Sequence, residues 1–566
     1  MTRRMAQPYK RHPVTEPYDA IVIGSGIGGL TAAAMLAKHG DRKVLVLERH
    51  YTPGGYTHVF HRPGYDWDVG VHYVGGVEPG SAIRRIFDDI SDGRIEWADM
   101  GPVYDRVIVG GEVYDFPKGR RNLRAMLVER FPGEEAAIDG YFDAVRAAVS
   151  ASLPFHAVKT LPGPVATIAG PLLRRNFRRW SDRTTREVLV ELTDDPQLIA
   201  VLTAQLGDYG LPPADSSFAM HALVASHYFR GGYYPVGGSA VIAESIIPVI
   251  ERAGGTVLVS AEVAEVVVEG GRAVGVRMAA DGAVIRAPIV ISDAGVSATF
   301  GQLVPAAAAE RAGLIADLGQ VAPSMAHLCL YLGFEQAAEE LGLPAHNIWI
   351  YPGNDIETAF HASREDADAE FPVLYISFPA AKDPDFARRH PGHATVEVIA
   401  PAPYEWFEPW AGSRWKHRAA EYDAFKESLA ERMLEGLFEQ LPQLRGRIAI
   451  KEISTPLTTQ HFAGYDRGEL YGLDHTPARF QQGFLKPATP IPGLYLTGQD
   501  IVTCGVSGAM FGGVLTATTL LRGPLMAGLA ATTVRRMNPL RRSRPDAEPA
   551  GTPAPRVDAA TAGSRG

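Results

Sequence analysis

The chain has 566 residues, too many for one simple core, and is 46% hydrophobic and 21% charged, the balance of a globular protein built from two or three domains. A net charge of -9 and an isoelectric point near 6.0 exclude the basic surface of a nucleic-acid binder. The two cysteines, Cys329 and Cys504, lie too far apart for a cysteine metal motif and are too few for a disulfide framework.

Residues 1–17 are polar and basic without the apolar centre of a secretory signal, so they read as a flexible lead. No run reaches the ~20 uninterrupted apolar residues of a spanning helix. Residues 514–534 come nearest, and Arg522, Gly523 and Pro524 break them. The expected location is cytoplasmic, with at most peripheral membrane contact.

Residues 18–55 carry the strongest signal. Ala20, Ile21, Val22 and Ile23 form a short β-branched run suited to a buried parallel strand. Gly24-Ser25-Gly26-Ile27-Gly28-Gly29 follows at once, then a helix-forming stretch, a second strand over 44–47, and Glu48. Strand, glycine turn, helix, strand and acid make one βαβ dinucleotide unit. Gly24 permits the turn, Gly26 lets a pyrophosphate approach the backbone, Gly28 completes the loop, and Gly29 lets helix and strand pack closely. The helix N-terminus faces phosphate, and Glu48 is placed to accept from a ribose hydroxyl. Beyond it, Arg49, Gly54, Gly55 and Tyr56 belong to a second glycine turn, a pattern that favours FAD over NAD because an extended cofactor lies along two loops.

Residues 64–76 read GYDWDVGVHYVGG, a turn-rich aromatic stretch just after the cofactor loop. Loops on rigid scaffolds carry sites, so His72 and Tyr73 are the candidate catalytic residues, with a packed hairpin as the plainer reading. A hairpin follows over 106–116 and helix over 121–149. Residues 161–180 place an apolar piece beside Arg174, Arg175, Arg178 and Arg179, with Phe177 and Trp180 interleaved. That suits a membrane surface or an apolar substrate entrance; an ordinary surface helix with a solvated charge face is the alternative.

A further glycine-rich turn, residues 231–238, leads into a helix over 239–253 and then a β-meander with turns at Gly270-Gly271 and Asp281-Gly282. Its return strand is expected to present backbone near Val263 to adenine. Strands are expected over 325–334, 373–378, 395–400 and 448–453, with an amphipathic helix over 417–440. Residues 494–500 form an apolar strand ending in Gly498 and Asp500, followed by a glycine-rich helix that holds Gly508 and Met510. From about residue 536 the chain is poor in apolar residues and reads as disordered. The fold class is therefore α/β. A Rossmann-like cofactor domain with a doubly wound sheet and a β-meander is assembled from 18–80, 234–300 and 490–522. Residues 81–233 and 301–489 form a discontinuous α+β substrate domain.

The segments GSGIGGLTAAAMLA, LERHYTPGGYTHVF, YDWDVGVHYVGG, YYPVGGSAVIAESI and GLYLTGQDIVTCGVSGAMFGG together resemble the phytoene desaturase-type flavoprotein family. LTGQDIVTCG and STPLTTQHF are most similar to its retinol saturase and carotenoid isomerase branch. The resemblance runs from about residue 18 to about 522. It implies bound FAD and a lipophilic polyene or isoprenoid substrate. It places Gly24, Gly26, Gly29, Glu48 and Gly55 on the pyrophosphate and ribose, and Gly498 and Asp500 at the cofactor's other end. The activity implied is addition or removal of hydrogen across a C=C bond. Isomerisation without net redox, amine oxidation and a non-catalytic FAD-binding role are the alternatives. The sequence shows no second GxGxxG with a following acid that would hold NAD(P)H, and it does not identify the electron donor or acceptor. Flavin chemistry calls for no metal. Tyr234, His461 and His475 are weaker proton-transfer candidates than His72, and Cys504 reads as packing.

Overall fold

Four of the chain's shortest apolar runs meet in one sheet. In the computed structural model, which describes residues 6–521, strands Gln7–Pro8, Thr256–Val259, Val44–Leu47, Ala20–Ile23, Val290–Ser292 and Leu494–Leu496 lie side by side in that order. Every pairing is parallel. Ala20–Ile23, Val44–Leu47 and Val290–Ser292 are fully buried, as a sheet covered on both faces requires. The glycine-loop helix Ile27–Gly40 packs on this sheet and against helices Gly505–Leu521 and Val241–Arg252. Gln7–Pro8 pairs with Leu258–Val259 and Tyr9 is buried, which corrects the reading of that part of 1–17 as a free lead. The edge of the parallel sheet captures it. The tail from 536 lies outside the described residues.

The meander Val263–Glu269, Arg272–Met278 and Val284–Arg286 is antiparallel and turns at Gly270-Gly271 and Asp281-Gly282, as expected. A second sheet of seven strands runs Ile448–Ser454, His327–Phe334, Ala394–Pro401, Leu374–Ser377, Asn347–Tyr351, Val103–Val109, Glu112–Pro117. It is antiparallel except where Asn347–Tyr351 meets Val103–Val109. Helix Ala420–Gln440 packs on one face of it, burying Leu429, Met433 and Leu437. On the other, Val107, Val109, Trp349 and Tyr375 join a core with helices Arg120–Arg130, Glu135–Val158 and Phe218–Tyr228.

The 64–76 stretch lies at the junction of these layers. Its first part is the strand Tyr65–Asp68, paired with Val59–Arg62, so the hairpin reading holds there. Trp67 is fully buried and donates Nε1–H to Leu332 O at 2.9 Å, while Tyr65 lies against Gly333, where any side chain would strike its ring. Among the described residues no helix is long and apolar enough to cross a membrane.

Candidate functional site

A cleft of about 1060 Å³ runs from the glycine loop toward the seven-stranded sheet. Its first wall is the turn after strand Ala20–Ile23. Gly24 has φ +96°, a conformation that favours glycine. A Cβ on Gly26 would lie 2.5 Å from Asp293 Oδ2, and one on Gly28 would lie 2.5 Å from Gly498 Cα and 2.7 Å from Asp293 Oδ1. Helix Ile27–Gly40 starts here with Gly26 at its N-cap and no cap from that residue's side chain; the Asp293 carboxyl takes the Gly26 and Gly29 N–H groups, which leaves those of Ile27 and Gly28 for an anion. The Gly54-Gly55 turn closes over the same loop: a Cβ on Gly55 would lie 2.9 Å from Gly26 Cα. Only bare backbone fits at these crossings, which is the shape a dinucleotide pyrophosphate needs.

Glu48 ends its strand buried. Its Oε2 accepts from Ser25 N at 2.9 Å and Ser25 Oγ at 2.7 Å, and its Oε1 accepts from His50 N at 2.7 Å. Ser25 Oγ in turn accepts from Gly54 N at 3.0 Å, so the acid and both glycine turns are one rigid unit. Gly24, Gly26, Gly28, Glu48, Arg49, Gly54, Gly55, Tyr56, Val263, Gly498 and Asp500 all line the cleft. Gly29, Gly508 and Met510 do not. A Cβ on Gly29 would lie 2.5 Å from Gly24 O, Gly508 is pressed on Thr503, and Met510 is fully buried. These three hold the helices in place rather than face the cleft.

Asp500 is a staple. Its Oδ2 accepts from Val296 N at 2.8 Å and its Oδ1 from Leu473 N at 3.1 Å. Arg479, 2% exposed, completes the joint by donating to Leu473 O at 2.6 Å, Gln499 O at 2.8 Å and Asp500 O at 3.0 Å. Sequence reasoning missed Arg479 and also Asp293, which follows the return strand Val290–Ser292. The Asp293 carboxyl accepts from the Gly26 and Gly29 backbone, and burial pushes it up to about 8. The SDAG run after the strand was its only signal.

The other end of the cleft is aromatic. Tyr56, Tyr465, Tyr471, Tyr331, Phe60 and His327 line it, with the Tyr56 and Tyr465 rings stacked at 6.3 Å. His327 is buried, its Nδ1 has no hydrogen-bond partner, and burial lowers its pKa to about 4, so it faces the cleft as a neutral ring. Only its place at the start of a strand marks it in the sequence.

His72 and Tyr73 are not among the residues that line this cleft. His72 Nδ1 lies 2.9 Å from Glu397 Oε2, and burial lowers its pKa to about 3 while raising that of Glu397 to about 8. Both are held neutral in a network of buried charge. Lys382 Nζ donates to His72 O at 2.8 Å, to Ser377 Oγ at 2.8 Å and to Asn347 Oδ1 at 2.5 Å. Glu397 also accepts from Asp68 N at 2.8 Å, and Asp68 binds Ser239 and Tyr234. Tyr73 stacks on Tyr228 at 4.1 Å, and its Oη lies 3.1 Å from both Asp105 Oδ2 and Asp208 Oδ2. One hydroxyl proton cannot serve two carboxylates, so one carboxyl carries its own. Burial, reinforced by Asp105, pushes Asp208 up to about 8 and makes it the holder. Asp208 O accepts from Cys504 Sγ at 3.3 Å, and Gly207 O accepts from the wall residue Tyr471 at 2.7 Å. His475 Nε2 accepts from Cys504 N at 2.9 Å, a structural bond, and His461 stacks on Trp415 at 5.3 Å.

This network has a pH signature. Unfolded, Asp208 ionises near 4; folded, it keeps its proton to about 8. The folded state binds the extra proton in that window, so this contribution to stability falls as pH rises from about 4 to about 8 and is flat above it. Asp208→Asn removes the titration and keeps the hydrogen bond to Tyr73. Thermal melts should show the variant gaining on the parent by about 1 kcal/mol or more between about pH 5 and about pH 9; an unchanged difference would mean Asp208 is ionised in the fold.

Residues 22–90 match the NAD(P)-binding Rossmann-like domain family. The chain is 38% identical to human all-trans-retinol 13,14-reductase over 93% of this chain and 89% of that protein. It is 28% identical to the chloroplastic prolycopene isomerase 1 of an Oncidium hybrid cultivar, over 89% and 83%. Among solved structures, cyclohexylamine oxidase from Brevibacterium oxydans superposes with a TM-score of 0.56 at 16% identity, covering 92% of this chain and all of that one, and so shares the fold.

Proposed function

The chain belongs to the family of all-trans-retinol 13,14-reductases and prolycopene isomerases, and on that premise we propose that it uses FAD to saturate a carbon–carbon double bond of a retinoid or a related polyene. It is an oxidoreductase acting on CH–CH bonds, in a superfamily that uses flavin-type cofactors. The observation that carries the substrate reading is the 38% identity to a retinol reductase over 93% of the chain. FAD is the reading that best suits a cleft with two glycine turns at one end and an aromatic wall at the other.

When bound, FAD supplies hydride transfer. The chain's own residues do the rest. The Gly24–Gly28 turn and the Gly498 segment would hold the pyrophosphate, Glu48 the ribose, and backbone near Val263 the adenine. Tyr56, Tyr331, Tyr471 and neutral His327 would bound the substrate and exclude water. His72, deprotonated at neutral pH, is a poor proton donor. Asp208 and Tyr73 do not line the cleft either, and their hydrogen bond steadies the wall behind Tyr471 rather than feeding a proton into it.

Isomerisation is the second reading, favoured by the 28% identity to a prolycopene isomerase over 89% of this chain. Anaerobic turnover of the flavin-loaded protein with all-trans-retinol or a carotenoid, reduced in one arm and oxidised in another so that hydrogen can be given or taken, decides between them by product mass. Saturation adds two hydrogens. Loss of two hydrogens, or an unchanged mass with altered retention, would replace it by desaturation or isomerisation.

A further inference from the structure

The helix Gly163–Ser181 carries two features that the cleft does not use. Val165, Ile168 and Leu172 are 47%, 83% and 75% exposed, in a protein that otherwise buries most of its large aliphatic side chains. The same helix holds Arg174, Arg175, Arg178 and Arg179 and no acidic residue, although the chain's net charge is -9. Among the described residues none of these four arginines forms an ion pair or a side-chain hydrogen bond. Arg183, just beyond the helix, pairs with Glu191 at 2.6 Å.

The two features share one face. At 3.6 residues per turn, Val165, Leu172, Arg175 and Arg179 all fall within roughly 60° of Ile168 around the axis. The opposite face is anchored. Phe177 is fully buried against Phe155 and Phe480, with ring centroids 4.3 and 5.7 Å away, and Gly170 lies against Val158. In the turn before the helix, Lys159 Nζ donates to Ile501 O at 2.7 Å, which ties this element to the segment that carries Asp500. The outward face is thus apolar over its first turns and basic over its last, on a rigid support.

We propose that the Gly163–Ser181 helix docks the protein on an anionic phospholipid surface. Val165, Ile168 and Leu172 enter the acyl boundary, and the arginines, whose long stems lie over apolar surface, reach the phosphates. Charge complementarity selects the occupant. Arg175 and Arg179, unpaired on the same face, need an anionic partner, and the apolar residues in line with them need one with a hydrocarbon layer directly beneath its charge. A nucleic acid meets only the first need. The inference stands apart from the reaction assigned above, so flavin content should be unchanged in every variant below.

The test is flotation of the full-length protein with vesicles of phosphatidylcholine alone or with about 30% phosphatidylglycerol. The protein should bind the anionic vesicles, release with added salt, and bind neutral ones far less. Ile168→Asp/Leu172→Asp and Arg175→Gln/Arg179→Gln should each lower binding at least about tenfold, with the circular dichroism spectrum and melting temperature of the parent, because the altered side chains are exposed. Absence of binding to anionic vesicles would overturn the proposal. So would binding that both variants retain, which would place the contact elsewhere on the chain. So would loss of RNA binding in the arginine variant while vesicle binding is unaffected in both.

Discussion

Gly28→Ala should yield a chain that purifies without flavin and is less stable by about 1–3 kcal/mol, the range for forcing atoms into a filled site. The added methyl would lie 2.5 Å from Gly498 Cα and 2.8 Å from Gly498 N, both backbone, and 2.7 Å from Asp293 Oδ1. Two of these atoms are main chain, and the Asp293 carboxyl is held by the Gly26 and Gly29 N–H groups, so none can swing aside. Gly28 is also where helices Ile27–Gly40 and Gly505–Leu521 cross, since a Cβ on Gly513 would lie 2.5 Å from Gly28 O. The methyl would therefore spread both the phosphate turn and the Gly498 segment that closes on it. Gly319→Ala is the matched control. It has φ -76° and no neighbour within 4 Å of the added atom, so it should change stability by less than about 0.5 kcal/mol and leave flavin content alone. Flavin absorbance per chain and thermal melting read both. Full flavin occupancy in Gly28→Ala would mean the cofactor does not lie on this loop.

Lys382→Met should destabilise the protein by about 3–5 kcal/mol, as loss of a buried charge from a satisfied network does. Lys382 is 4% exposed, and its ammonium donates to a main-chain carbonyl and two side chains from three different segments. Burial lowers its pKa to about 8, while Glu397, Asp68 and Asp105 pull it back up. Without the cation these carboxyls would be driven further toward protonation, and His72 O and Asn347 Oδ1 would be left without their donor. The comparison is Lys451→Met. Lys451 bridges Glu427 and Glu431 at the surface, where about 1 kcal/mol or less is at stake. Equal effects of the two substitutions on thermal unfolding would contradict the network described here.

The dinucleotide half of the molecule was legible in the sequence because its signals are local. Ala20–Ile23, the glycine turn, the helix and Glu48 sit within thirty consecutive residues, and each is set by backbone geometry that only certain residues satisfy. The strands His327–Phe334 and Ala394–Pro401 were legible as apolar runs. What failed to show was whatever depends on partners far along the chain. His72 looked catalytic from its neighbours, but its ring is committed to Glu397, and its carbonyl to Lys382, each more than three hundred residues away. Tyr73 is likewise fixed between Asp105 and Asp208. Strand Asn347–Tyr351 was missed because its parallel partner, Val103–Val109, is supplied by another part of the chain. Gln7–Pro8 has no strand-forming composition of its own, and the open edge at Thr256–Val259 imposes the conformation.

His327 lines the aromatic end of the cleft although no motif marks it, while His72 and Tyr73, from the stretch that looked catalytic, lie outside its lining. A cleft that is polar backbone at one end and neutral rings at the other is suited to one task, holding a dinucleotide against an apolar substrate away from water. That is the central claim, and it stands or falls on the cofactor. The direct measurement is the absorbance spectrum of the purified full-length protein together with the mass of whatever heat or acid releases from it. The account predicts a flavin spectrum and FAD in molar proportion to the chain. A colourless protein that neither takes up added FAD nor is stabilised by it would contradict the account.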